Sequence, residues 1–163
     1  MQDILFEISS IPITMNIKRF HMDIIAIVAL IALTIYYLRG RKKDKKSEID
    51  MMTLVGMIFF YVVMFGMCIG VLTEYVHLKE AYENGTCLYV EGEIHDYKGS
   101  PGIPKWNEEF MVQDEHFFYS YYEVTPAYNW PKRYGGVIKG DGQKVKIGYV
   151  FDDKNKIVYI EQL

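Results

Sequence analysis

Hydrophobic residues are spread unevenly along the chain, and their period changes from helical to alternating near its middle. One uncharged run, IIAIVALIALTIYYL, covers residues 24–38, and a second, MMTLVGMIFFYVVMFGMCIGVLT, covers residues 51–73. A helix rises about 1.5 Å per residue and lipid offers no partner to a free backbone group, so a bilayer core takes about 20 apolar residues. The second run meets that length. The first needs His21 and Met22, or some tilt and local thinning, to span. The pattern therefore predicts transmembrane helices over 21–38 and 51–73. A buried helix of a soluble protein is the alternative for each. Lys18 and Arg19 also fit the start of a signal peptide, but no small-x-small cleavage site follows, and the run ends in Tyr36, Tyr37 and a basic block.

The stretch before the first run, residues 1–20, is apolar but broken by Glu7, Ser9, Ser10 and Pro12, which places it at the membrane interface rather than across it. Helical character continues past Glu74 and ends at Asn84-Gly85, making residues 74–85 a linker. From residue 86 the period becomes two. CLYVEGEIHDY, EEFMV, HFFYSYY, QKVKIGYVF and KIVYIEQL are rich in β-branched and aromatic residues, and polar or Gly/Pro clusters separate them. Val145, Ile147 and Tyr149 alternate with Lys144, Lys146 and Gly148, the half-buried antiparallel pattern.

Connection lengths set the expected topology. The second and third strands are joined by Gln113, Asp114 and Glu115, the fourth and fifth by a turn at Asp152 to Asn155, and residues 123–142 form the long link. Three strands plus two, with the long connection after the third, predicts a five-stranded antiparallel OB-like barrel over 86–163, with an SH3-like barrel as the alternative. Gly92 falls where the long first strand would bend to serve both sheets. The fold class expected is a membrane α-helical hairpin plus this small all-β domain.

Charge orients the hairpin. The loop 39–50 carries Arg39, Arg41, Lys42, Lys43, Lys45 and Lys46, against Lys18 and Arg19 before the first run. Short Lys/Arg-rich loops stay cytoplasmic, so both termini are expected outside the cytoplasmic membrane, with the inverted arrangement as the alternative. Anionic lipid accounts for this basic loop without nucleic acid. From Lys79 onward ten Lys and Arg face fourteen Asp and Glu. A nucleic-acid groove needs the opposite balance. Ala26 and Ala29 on the first helix and Gly66 and Gly70 on the second are candidate packing positions. Gly66-Met-Cys-Ile-Gly70 fits packing within the hairpin, a homodimer, or neither.

Candidate chemistry is sparse. The chain has two cysteines, Cys68 within the second run and Cys87 outside it, which implies no internal disulfide. His95 with Asp96, and His116 with Asp114 and Glu115, lack metal-ligand spacing, and adjacent strand residues point to opposite faces. No nucleophile elbow surrounds Ser120. No catalytic, cofactor or metal residue is assigned. The carboxylates Glu91, Glu93, Glu108 and Glu109 read as solvated strand faces. Phe117, Tyr119 and Tyr121 share one strand face and read as core, because a small barrel needs large side chains to fill it. Tyr128, Trp130, Lys132, Arg133 and Tyr134 stand in the 123–142 connection and form the candidate interaction surface, toward a protein, an envelope component or the lipid interface.

Five stretches in order carry a resemblance: VEGEIHDY (90–97), EEFMV (108–112), FFYSYYEVTPAYN (117–129), GGVIKGDGQKVKIGY (135–149) and IVYIE (157–161). Together they resemble a β-domain that recurs in small, largely uncharacterised bacterial membrane-associated or secreted proteins. The resemblance covers the C-terminal half only. It implies a compact extracytoplasmic OB-like β-domain and brings no catalytic residues with it. This chain departs from that frame by Asp141 in the fourth stretch and by Trp130-Pro131-Lys132-Arg133 in the long connection.

Overall fold

The computed structural model describes residues 3–10, 28, 31, 34, 35, 51–99 and 107–163. The chain divides into two compact units, one of residues 12–70 and one of residues 1–11 with 71–163. Helix α1 (Met51–Glu83) contributes to both. It is long and apolar enough to cross a membrane, and its most apolar stretch is uncovered.

In the first unit, α1 exposes apolar side chains on nearly every face. Phe59 is 69% exposed, Val62 64% and Phe65 67%. A helix apolar all round in this way is suited to lipid rather than to water. Met57, Tyr61, Met64 and Cys68 are half-buried and recur at steps of four, three and four, a narrow seam along one side. Thr34 Oγ1 donates to Met57 Sδ at 3.6 Å on that seam. Of the run 21–38, Val28, Ile31, Thr34 and Ile35 are described, all helical, and the rest lies outside the described residues. Ala26 and Ala29 lie outside them too. At 3.6 residues per turn, Gly66 and Gly70 fall on the side opposite the seam. A Cβ at either would meet nothing within 4 Å, so among the described residues they pack no neighbour.

The second unit is a six-stranded antiparallel sheet in the order β1-β6-β5-β2-β3-β4. Its strands are β1 (Asp3–Glu7), β2 (Leu88–Gly99), β3 (Asn107–Val112), β4 (Glu115–Ser120), β5 (Lys144–Phe151) and β6 (Asn155–Gln162). The five expected strands are present, with both expected hairpins. β2 serves two neighbours: residues 88–93 pair with β5, and β3 takes over from Ile94. The changeover lies beside Gly92, where an added Cβ would sit 3.3 Å from Val112 Cγ1.

The closed five-stranded barrel is not formed, and the SH3-like alternative falls with it, because the sheet stays open between β4 and β6. An OB closure would need the free edge of β6. Here Asp3, Ile4, Phe6 and Glu7 of the N-terminal segment pair with Gln162, Glu161, Ile160 and Tyr159 along that edge. The segment expected at the lipid interface thus supplies the sixth strand. Leu5 and Phe6 pack on a core of Ile94, Phe110, Phe117, Tyr119, Ile147 and Ile160.

Residues 74–83 are not a free linker either. Tyr75 and Leu78, one helical turn apart, are buried with Ile8, Cys87, Ala127 and Val158. Val158 reaches this side through a bulge in the β5–β6 pairing. Lys156 Nζ pairs with Glu74 and Asp152, both at 2.9 Å, and fastens the same helical turn. The end of α1 is therefore part of the β unit. Leu78→Ala should destabilise that unit by about 2–5 kcal/mol, whereas Val76→Ala at an exposed position should stay within about 0.5 kcal/mol. Denaturant unfolding followed by near-UV circular dichroism measures both.

Candidate functional site

The aromatic stretch from β4 into the long connection divides by burial. Phe117 and Tyr119 point inward from β4, and Phe110 stacks on Phe117 with centroids 5.3 Å apart. Tyr121 does not continue this row. β4 ends at Ser120, Glu123 N–H donates to Ser120 O at 3.1 Å, and the turn leaves Tyr121 and Tyr122 40% and 64% exposed. Tyr121 stacks on Tyr134 at 4.4 Å and meets Tyr122 edge-on at 5.8 Å.

The connection itself turns inward before it turns out. Thr125, Ala127, Tyr128 and Asn129 are all buried. Tyr128 N–H donates to Ile157 O at 2.9 Å, using an edge group of β6 that β1 does not reach. Asn129 Nδ2 donates to Glu123 O at 2.7 Å, and Thr125 Oγ1 to Glu74 Oε1 at 3.1 Å. Tyr128 is therefore a core residue and not part of a surface. Its hydroxyl donates to Trp130 O at 2.8 Å and accepts from Val137 N–H at 2.7 Å, which fixes the two arms of the loop relative to each other. Gly136 closes the crossing. A Cβ there would lie 2.0 Å from Trp130 O.

The outward part of the loop is held by a buried carboxylate. Glu108 is 4% exposed. Tyr119 Oη donates to its Oε2 at 2.6 Å, and the backbone N–H of Lys132 donates to its Oε1 at 2.8 Å. The Lys132 contact pins the 3-10 turn Lys132–Tyr134, which ends on Gly135 in the left-handed region at φ 86°. Burial raises the Tyr97 hydroxyl above its usual range, and the nearby Glu108 carboxylate adds to this. Burial likewise raises Tyr119, and it pushes Tyr128 up to about 12. Tyr119 and Tyr128 thus stay neutral donors, to the Glu108 carboxylate and to Trp130 O.

Glu108 is buried rather than solvated as expected, and the alternation of β3 accounts for it. Glu108, Phe110 and Val112 share parity, and the hairpin register sets Glu108 opposite Tyr119. Of the expected surface residues, Trp130 is 45% exposed and Lys132, Arg133 and Tyr134 are exposed, all close to the Lys132–Tyr134 turn. Tyr121 and Tyr122 join that surface through the Tyr121–Tyr134 stack, which the sequence reading missed.

Other chemistry is limited. Among the described residues no group of three His, Cys, Asp or Glu side chains could hold a metal ion. The gap between β4 and β6, lined by Phe118, Glu123, Thr125, Lys154 and Asn155, encloses a space of about 10 Å³, room for about one water molecule rather than an organic ligand. Asn155 Oδ1 is buried there without a hydrogen-bond partner, while its Nδ2 donates to Glu115 Oε2 and His116 O on β4. Cys87 is buried. Comparison with known protein families, characterised proteins and solved structures finds no match to this chain.

Glu108→Gln should cost about 1–3 kcal/mol, since an amide group would then face one of the donors held by the carboxylate. Amide NMR should show Lys132 N–H exchanging faster in that variant. A second consequence concerns alkali. Tyr128 has a folded value of about 12 against the usual 10.0, so its contribution is complete below pH 10 and is lost as pH rises toward 12. The share of tyrosinate absorbance that comes from the buried tyrosines should appear together with loss of tertiary structure over that window. Ionisation of all tyrosines with the fold intact would contradict it.

Proposed function

We propose that the chain is a two-pass membrane protein whose helices over 21–38 and 51–73 anchor the β unit, with both termini on the extracytoplasmic side. The β unit acts as a non-enzymatic interaction module that docks an envelope component or a protein. The observation that carries this reading is the aromatic surface of Tyr121, Tyr122, Trp130 and Tyr134, exposed on a loop whose inner half is buried and hydrogen-bonded. Aromatic residues held out on a rigid support provide contact area at little entropic cost. The bare apolar surface of α1 supports the anchor, and the six cations of loop 39–50 support its orientation. The resemblance of residues 90–161 to an extracytoplasmic β-domain of small bacterial envelope proteins points the same way. Protection against a toxin or another envelope-acting partner is one role such a module fills, by analogy of class alone.

Two measurements test this. Cys87 is buried, so a reporter thiol belongs on the exposed β5–β6 turn, as Asp153→Cys. A membrane-impermeant maleimide should label it in intact cells. Labelling only after the membrane is breached would mean the inverted arrangement, a cytoplasmic-facing sensor. A photo-crosslinking residue at position 122 should give a discrete adduct that one at exposed Phe151 does not, and Tyr134→Ala should reduce it roughly tenfold, the scale of an aromatic hot spot. Equal adducts at 122 and 151 would contradict a dedicated surface.

A further inference from the structure

The exposed part of residues 121–139 combines aromatic groups with positive charge. Tyr122 and Trp130 project into solvent beside the Tyr121–Tyr134 stack. Lys132 and Arg133 are exposed on the turn, and Lys139 is exposed just beyond it. The ammonium groups of Lys132 and Lys139 donate to the carbonyls of Lys139 and Gly136, so neither charge is neutralised by those bonds. Glu123, the segment's acid, is paired with Lys154. A cationic face thus stands on a stretch that, from Lys79 onward, carries ten basic against fourteen acidic residues. Its charge complements an anionic surface, and Trp and Tyr favour the boundary between water and lipid.

We infer that this face docks on the anionic headgroups of the membrane in which the chain is anchored. Trp130 and Tyr122 lie at headgroup depth, with Lys132, Arg133 and Lys139 over the phosphates. The inference rests on the anchored arrangement proposed above and names the envelope component as lipid. A tethered domain meets its own bilayer at high effective concentration, so weak contacts suffice. A soluble protein partner has no such advantage and is the competing occupant.

The chain contains two tryptophans, so Trp106→Phe leaves Trp130 as the reporter. The full chain is placed in nanodiscs of phosphatidylglycerol or phosphatidylcholine, with acyl chains brominated near the headgroup. Trp130 emission should be quenched and blue-shifted in phosphatidylglycerol. The effect should weaken in phosphatidylcholine, at high salt, and in Lys132→Gln and Arg133→Gln, each lost cation lowering the docked-to-undocked ratio roughly fivefold. Equal Trp130 emission with brominated and plain phosphatidylglycerol overturns the inference. A control chain with Phe60→Trp, Trp106→Phe and Trp130→Phe reports helix insertion through the indole introduced at position 60. If that indole is quenched by deeply brominated lipid and Trp130 is not, lipid docking is wrong and the surface belongs to a protein partner. If neither is quenched, the anchored arrangement falls with it.

Discussion

The free edge of β6 is the constraint around which the β unit is arranged. An edge strand carries unpaired N–H and C=O groups that must be covered or paired. In this chain three different elements divide the task. β1 pairs along Tyr159 to Gln162, the Tyr128 amide takes Ile157 O, and Asn155 reaches across with its side chain to β4. The sheet therefore has no strand-to-strand closure between β4 and β6, and the long connection is drawn inward to fill the gap. Burial of Thr125 to Asn129 follows from that role. So does the exposure of what comes next, because Trp130 and the Lys132–Tyr134 turn are where the chain emerges again.

Much of this was legible from period and spacing. The five strands after Cys87, both hairpins and the double duty of β2 at Gly92 follow from alternation and connection length, which are local properties. The closure was not, because it depends on pairing between Asp3–Glu7 and a strand at the far end of the chain. A short segment broken by Glu7 carries too weak a pattern to indicate a partner. The packing of the end of α1 is hidden in the sequence for a related reason. Tyr75 and Leu78 look like ordinary helix residues until the Val158 bulge provides a surface for them.

In the candidate site, composition misled where parity would have served. The loop is rich in aromatic and turn-forming residues, so an exposed connection was expected throughout. Tyr128 instead became the internal brace, because its hydroxyl has a carbonyl and an amide to satisfy at Trp130 and Val137. Glu108 shows the converse. A carboxylate on a strand is normally solvated, yet its position in register with Tyr119 and beneath Lys132 N–H supplies the donors that make burial tolerable. These two residues connect the core to the surface. Tyr121 and Tyr134 can stack outside only while Tyr128 and Glu108 hold the loop from within.

That dependence is the central claim, and amide hydrogen exchange on the full chain tests it most directly. The N–H groups of Tyr128 and Lys132, bonded to Ile157 O and Glu108 Oε1, should exchange as slowly as amides in the middle of β6, because loop and sheet open together. Exchange at both positions as fast as at the exposed turn around Asp152 and Asp153 would mean that the connection is an independent surface loop, and the account would be contradicted.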